Sequence, residues 1–388
     1  MHNFIYSIPT TIYFGKGQVE HLPSIIKQYG KRVLFLYGGG SIIKTGIYDT
    51  VIGLLNDNNI YFTELGGVEP NPRLTTVKKG IEICKEHEID LILPVGGGST
   101  IDCAKAIAAG AKYNGDPWDF TIDRSLIKEA LPIVCILTIA ATGSEMDPVA
   151  VISNMETNDK RGIGSLALYP KASILDPVYT YTVSKYQTAS GVADIFSHII
   201  ESYFHKAPGA YLVRRAAEGF LKTCITYGMI ALNEPGNYEA RANLMWVSSW
   251  GLNGFLKCGL DGPWVIHPIE HQLSAYYDVT HGAGLAVITG PWLRKILNED
   301  SLEVFTQYAV NVWSLDEALD PYVLAERAIK KTEAFFKSME LPSTLSELGI
   351  INQDNFEIMA KKAIKDGAGK SCFSLSEEDV IEILKDAF

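Results

Sequence analysis

The sequence has little that would anchor it in a membrane, staple it with disulfides or carry it onto nucleic acid. Its six cysteines (84, 103, 135, 224, 258 and 372) are scattered over 388 residues with no C-x-x-C pair. That spacing argues against a cysteine metal site or a disulfide scaffold and suits buried thiols in a reducing cytoplasm. No apolar run approaches the roughly 20 residues needed to cross a bilayer, and Met1–Tyr13 lacks the basic-then-apolar order of a signal peptide. Basic residues are outnumbered, 34 Lys and Arg against 45 Asp and Glu, for a net charge of -11. An acidic surface without a basic patch repels phosphate backbones, so no nucleic-acid partner is expected. Charged residues make up only 20% of the chain and hydrophobic ones 47%, the reverse of a disordered composition. Also missing are low-complexity segments, a Walker A loop, a G-x-G-x-x-G fingerprint and any Ser-His-Asp or Cys-His arrangement in a matching context. The composition fits a globular cytoplasmic protein long enough for two domains.

The first half alternates short β-branched runs with helical patterns. Arg32–Tyr37 (RVLFLY), Asp90–Val95 (DLILPV) and Pro132–Thr138 (PIVCILT) read as strands, with helices over about Thr45–Asn56 and Thr100–Lys112. Apolar runs this continuous belong to strands covered on both faces, which means a parallel sheet flanked by helices. After Leu175-Asp176-Pro177 the pattern turns helical: Glu201–Tyr227, Ala240–Phe255, Leu302–Trp313, Pro321–Ser338 and Asn355–Lys365. An α/β domain over 1–182 and a helical domain over 183–388 are therefore expected.

Gly38-Gly39-Gly40-Ser41 and Gly96-Gly97-Gly98-Ser99 each join a strand to a helix. Glycine permits close backbone approach, and the free N–H groups of a helix start attract phosphate, so two such turns in successive βα units point to a dinucleotide. The first turn carries no acidic residue to repel a 2′-phosphate, and Lys44 follows it, which tilts the cofactor toward NADP, with NAD as the alternative. Thr138–Glu145 (TIAATGSE) concentrates hydroxyls; by itself it reads as an N-capped helix start.

Five of the eight histidines lie between residues 198 and 281. Asp194 and His198 are four apart in a helical segment, on one face and within reach of a shared ion. His267, His271 and His281 follow, and spacing alone does not choose among them, since 267 and 271 are themselves four apart. His205, in FHKAPG, reads as solvated surface. Imidazoles with one carboxylate suit Fe²⁺ or Zn²⁺ better than Ca²⁺ or Mg²⁺. Trp246, Trp250 and Phe255 read as core, and Trp264 as a wall of a substrate pocket.

With these motifs laid out, the sequence resembles the iron-containing (group III) alcohol dehydrogenases, in particular their butanol dehydrogenase and NADPH-dependent aldehyde reductase branch. The resemblance rests on PTTIYFGKG near the start, GGVEPNP at 66–72, GGGSTIDCAK at 96–105, ATGSEMD at 141–147, ADIFSHIIE at 193–201 and HPIEHQLSAYYDVTHGAGLA at 267–286. It implies a Rossmann-like N-terminal domain, a helical C-terminal domain, and metal and cofactor in the cleft between them. It further implies Asp194, His198, His267 and His281 as metal ligands of Fe²⁺, with His271 outside them near the nicotinamide. Gly97, Gly98 and Ser99 match the pyrophosphate turn, and Gly38, Gly39, Gly40 and Ser41 the adenosine side. Asn71, Asp102, Thr138, Ser144 and Lys160 match other cofactor-contacting positions, and the family suggests a homodimer. One departure is Asp147, acidic where many members carry Asn or Thr, which reads as a cap or a solvated turn residue.

The expected activity is hydride transfer between NAD(P)H and a short or medium-chain aldehyde or primary alcohol, with His271 passing the alcohol proton to solvent. A dehydroquinate-synthase-like lyase would need clustered Lys and Arg, and residues 191–204 contain none. A polyol dehydrogenase is the other alternative, which an apolar pocket wall at Trp264 would disfavour.

Overall fold

In the computed structural model, which describes residues 1–205, 209–260, 262–370 and 372–388, the chain forms two compact units. One comprises 7–183 with 235–249, the other 1–6, 184–234 and 250–388.

The first unit is built on six parallel strands: β1 (Thr11–Phe14), β2 (Arg32–Tyr37), β3 (Tyr61–Leu65), β4 (Leu91–Gly96), β5 (Val134–Leu137) and, after an antiparallel hairpin of β6 (Val149–Asn154) with β7 (Asp159–Gly164), β8 (Ala172–Leu175). Their order is β1-β8-β5-β4-β2-β3. Side chains alternate between two cores, as a strand's twofold repeat demands. Leu34, Leu36, Ile92, Cys135 and Leu137 join one cluster, while Val33, Phe35, Leu91, Leu93, Val95, Val134 and Ile136 join the other. Both faces are covered, as the continuous apolar runs require. The helices of this unit are α1 (Leu22–Tyr29), α2 (Ser41–Lys44), α3 (Ile47–Asp57), α4 (Leu74–Glu86) and α5 (Gly98–Gly110).

Strand order reverses between β2 and β4: the chain leaves β2 toward β3 and leaves β4 toward β5. A reversal of this kind opens a crevice at the carboxyl ends of the strands. Both glycine turns stand there.

The hydroxyl-rich stretch 138–145 does not start an α-helix. Only a single 3-10 turn forms, Ser144–Met146, entered through Gly143 at φ 63, and the chain then runs into β6. The cause is Lys105, fully buried on α5. Its ammonium donates to Ser144 Oγ (2.9 Å), Asp147 Oδ1 (2.6 Å) and the Val149 carbonyl (2.7 Å), drawing 144–149 along the helix. Asp147 is thus neither a helix cap nor solvated. It is 2% exposed and ion-paired.

The second unit is helical: α6 (Lys185–Tyr203), α7 (Tyr211–Asn233), the end of α8 (Tyr238–Leu252), α9 (Ile266–Tyr277), α10 (His281–Ile296), α11 (Leu302–Asn311), α12 (Pro321–Ser338), α13 (Phe356–Lys365) and α14 (Glu377–Asp386). The expected helix 201–227 is two helices, because α6 stops at Tyr203 and the backbone turns left-handed at Gly209 before α7. α6 starts cleanly, with Ser184 Oγ accepting from the Gln187 N–H (3.2 Å), and every residue from Thr188 to Tyr203 is buried. A helix covered all round is the axis of its unit. It carries the ligand candidates. Among the described residues no helix is long and apolar enough to cross a membrane.

Candidate metal centre and cofactor turns

Asp194, His198 and Glu201 recur at i, i+4 and i+7 and so share one face of α6. His267 and His271 stand a turn apart near the start of α9, and His281 is the first residue of α10. These three helices bring four donors together. Asp194 Oδ1 lies 3.5 Å from His198 Nε2, 3.7 Å from His281 Nε2 and 3.8 Å from His267 Nε2. The His198 and His267 rings stack at 4.5 Å, 14° from parallel.

Those separations exceed hydrogen-bonding distance, and Asp194 Oδ1 and His267 Nε2 are both buried with no hydrogen-bond partner. Ligand atoms at the corners of a tetrahedron with bonds of about 2.1 Å stand about 3.4 Å apart, close to the distances from Asp194 Oδ1 to the three Nε2 atoms, and the donor atoms of Asp194, His267 and His281 all lie within 4.8 Å of one another. One carboxylate oxygen with imidazole nitrogens is a donor set for a mid-series divalent ion. The residues fit a metal ion.

The electrostatics agree. Burial alone would raise the Asp194 carboxyl, yet His198, His281 and His267 hold it down at about 2. Burial takes His198 down to about 4, against the pull of Asp194. Burial also opposes charge on His267, but Glu201 and Asp194 beside it lift that ring to about 9. The cluster attracts positive charge, and an ion must displace a proton to enter.

Two carboxylates unremarked in the sequence complete the cluster. Glu201, 2% exposed, accepts the backbone N–H groups of Val265 (2.6 Å) and Ile266 (2.5 Å) at Oε1 and meets His267 Nδ1 at Oε2. Glu270, 0% exposed, meets His281 Nδ1 at Oε2 and accepts from Ser274 Oγ (2.5 Å) at Oε1. The signal for Glu201 was available, since it continues the spacing of Asp194 and His198.

His271 lies at the edge of the cluster, half-buried, its ring 5.6 Å from His281 and 6.3 Å from His267. Trp264, also half-buried, packs its ring 4.6 Å from His267 and 5.1 Å from His198, with Lys257 Nζ 4.2 Å over its outer face. Of the aromatics expected in the core, Trp246 is 39% exposed, because α8 buries Leu244, Met245 and Val247 around it. Trp250 and Phe255 are half-buried. His205 is not solvated: it is 4% exposed, and its Nδ1 pairs with the Glu201 carbonyl (2.6 Å).

In the α/β unit, Gly38–Ser41 follows β2 and Gly97–Ser99 follows β4, on neighbouring strands. The first N–H groups of α5 have no side-chain cap, and no acidic residue sits in its first turn, so its positive end is open to phosphate. Thr138 donates its N–H to the Gly96 carbonyl (3.0 Å), and a Cβ on Gly97 or Gly98 would stand 2.4 Å from Ile139 or 2.3 Å from Thr142. These glycines are therefore demanded by the loop after β5, whatever else binds. Asp102 and Ser144 are brought together, Ser144 Oγ donating to Asp102 Oδ1 (2.6 Å) while Asp102 Oδ2 accepts from the Val151 N–H (2.9 Å). Desolvation lifts Asp102 to about 6 against Lys105 and Ser144. Asn71, at φ 54, precedes the Pro72 carbonyl that binds the Ser153 N–H, and Ser153 is the cross-strand partner of buried Lys160.

The fold and the candidate site suit a two-unit enzyme that takes a metal ion and a nucleotide, and comparison with known proteins names the family. Residues 9–177 match the family model for iron-containing alcohol dehydrogenase and 188–388 that for the C-terminal part of the Fe-containing alcohol dehydrogenase family. The chain belongs to the iron-containing alcohol dehydrogenase family. It is 55% identical, over 100% of both chains, to NADH-dependent butanol dehydrogenase A of Clostridium acetobutylicum. It is 40% identical, over 90% of each, to the NADPH-dependent aldehyde reductase YqhD of Escherichia coli. The crystal structure of NADH-dependent butanol dehydrogenase A from Thermotoga maritima superposes with a TM-score of 0.95 at 39% identity, covering 100% of this chain and 99% of that one.

Gly282 is what lets His281 reach α6. A Cβ there would stand 1.9 Å from the Ser190 carbonyl oxygen, a backbone clash that no rotamer relieves. Gly282→Ala is expected to lower stability by about 1–3 kcal/mol and to reduce bound metal per chain, read by denaturation and elemental analysis. Full metal content in that variant would contradict the placement of His281.

Proposed function

We propose that this protein reduces short or medium-chain aldehydes with NAD(P)H, and oxidises the matching primary alcohols, at a divalent ion held by Asp194, His198, His267 and His281. The observation that carries the proposal is the convergence of those four side chains, with Asp194 Oδ1 and His267 Nε2 buried and unpartnered. An ion bound there, Fe²⁺ by the family's chemistry, supplies Lewis acidity that polarises an aldehyde oxygen or eases loss of an alcohol proton. A nicotinamide cofactor, when bound, would supply or accept the hydride.

The remaining roles fall to the chain. Trp264 walls the ligand rings with an apolar face, excluding water and favouring aliphatic over polyol substrates. His271, half-buried beside His281, moves the alcohol proton toward solvent. Gly97, Gly98 and Ser99 at the open end of α5 hold the pyrophosphate, and Gly38–Ser41 faces the adenosine ribose. Asp102, Thr138, Ser144, Asn71 and Lys160 line the rest of the cofactor's path. The Gly38–Ser41 turn itself carries no carboxylate to repel a 2′-phosphate, and Lys44, which follows it, is exposed. An exposed ion pair contributes less than about 1 kcal/mol, so discrimination between the two cofactors is weak.

Metal-stripped protein assayed anaerobically with butanal is expected to oxidise NADH or NADPH only after Fe²⁺ or Zn²⁺ is added. No turnover in any combination, with metal retained, would redirect attention to a lyase of the same fold. The kcat/KM values for NADPH and NADH should lie within about tenfold of each other; a hundredfold gap would mean a charged contact not identified at Gly38–Ser41. His271→Ala should lower turnover and flatten its dependence on pH near neutrality, whereas an unchanged pH profile would remove His271 from proton transfer.

A further inference from the structure

We propose that Glu201 and Glu270, which lie outside the ligand set, are positioning residues that fix the tautomer and aim of His267 and His281 and thereby set how tightly the ion is held. This rests on the metal reading above and goes beyond it.

Each carboxylate is itself held before it meets its histidine. Glu201 Oε1 is occupied by the Val265 and Ile266 N–H groups, and Glu270 Oε1 by Ser274 Oγ. The other oxygen of each meets an imidazole Nδ1, that of His267 for Glu201 and that of His281 for Glu270. An ionised carboxylate can only accept, so the ring proton is drawn to Nδ1 and the lone pair is left on Nε2. In both rings Nε2 is the atom that faces Asp194 Oδ1. The same pairing makes the imidazole a stronger donor to a metal.

The room for this arrangement is built in. Gly284, three residues after His281, lies against Glu270, and a Cβ there would stand 3.1 Å from its Cγ and Oε1. The two glutamates also differ in a way that permits a clean test. Glu201 caps the start of α9 as well as holding His267, so its loss disturbs the helix too. Glu270 instead meets Ser274 Oγ and the His281 ring, so its replacement bears more directly on the aim of His281.

The test uses the whole metal-stripped protein, with Co²⁺ or Zn²⁺ titrated against a chromophoric chelator. Glu270→Gln, which keeps the volume and loses the charge, is expected to stay folded, to bind either ion 10–100-fold more weakly and to alter the visible spectrum of bound Co²⁺. Glu201→Gln should lose affinity and stability together. Wild-type affinity and an unchanged Co²⁺ spectrum in Glu270→Gln would overturn the proposal. A measurement on unmutated protein keeps it falsifiable if a variant fails to fold: ¹⁵N NMR of Zn²⁺-loaded wild type should show His267 and His281 protonated at Nδ1, and protons at Nε2 would overturn it. Wild type that binds neither ion would overturn the metal reading itself, an outcome distinct from a difference between variants.

Discussion

Three carboxylates buried around one point of the helical unit set the terms for everything near them. Asp194, Glu201 and Glu270 are at most 3% exposed, and an ionised carboxylate in such surroundings is tolerable only when donors or cations meet it. Glu201 and Glu270 are met by backbone N–H groups, a hydroxyl and two imidazoles. Asp194 Oδ1 is met by no hydrogen bond, only by three Nε2 atoms at 3.5–3.8 Å. The packing serves this residual charge: α6 is buried from Thr188 to Tyr203, and α10 has a glycine at its second position so that its first residue, His281, can lie against α6.

The α/β unit shows the opposite sign of the same physics. Lys105, a fully buried cation of that unit, is met by three oxygens and does structural work, tying the loop after β5 to α5. The open end of α5 has neither a side-chain cap nor an acidic residue, and its unpaired N–H groups favour an anion. One unit thus gathers three buried carboxylates among imidazoles and the other presents a positive helix end, arrangements that suit a cation and a phosphate respectively.

Much of this was legible in the sequence, and the exceptions have physical causes. β2 was read to the residue and β4 and β5 within two, because strands buried on both faces make unbroken apolar runs. β1 and β3 were not: they are edge strands with mixed, partly exposed side chains. That Asp194 and His198 share a face was legible from helical spacing, but spacing left His267, His271 and His281 open, since periodicity places two of them on one face; the expectation of His267 and His281 came from the family resemblance. Glu201 was overlooked although its spacing extended the pattern. Glu270 carried no such signal, because its partner His281 lies on the next helix across a turn. Asp147 was misread because its partner, Lys105, is 42 residues away in sequence, a distance no local pattern spans.

The position of each histidine explains which of them receives a carboxylate. His198 sits mid-helix in α6, where the backbone fixes its direction, with His267 and Trp264 packed on its ring. It needs no further partner, and among the described residues no carboxylate meets its Nδ1. His267 and His281 stand at or next to the first positions of α9 and α10, where helices fray and a side chain is least constrained by its own helix. Those are the two rings that Glu201 and Glu270 hold. The carboxylates supply at the helix starts the orientation that the helix interior supplies to His198, and the positive ends of α9 and α10 in turn stabilise the carboxylates.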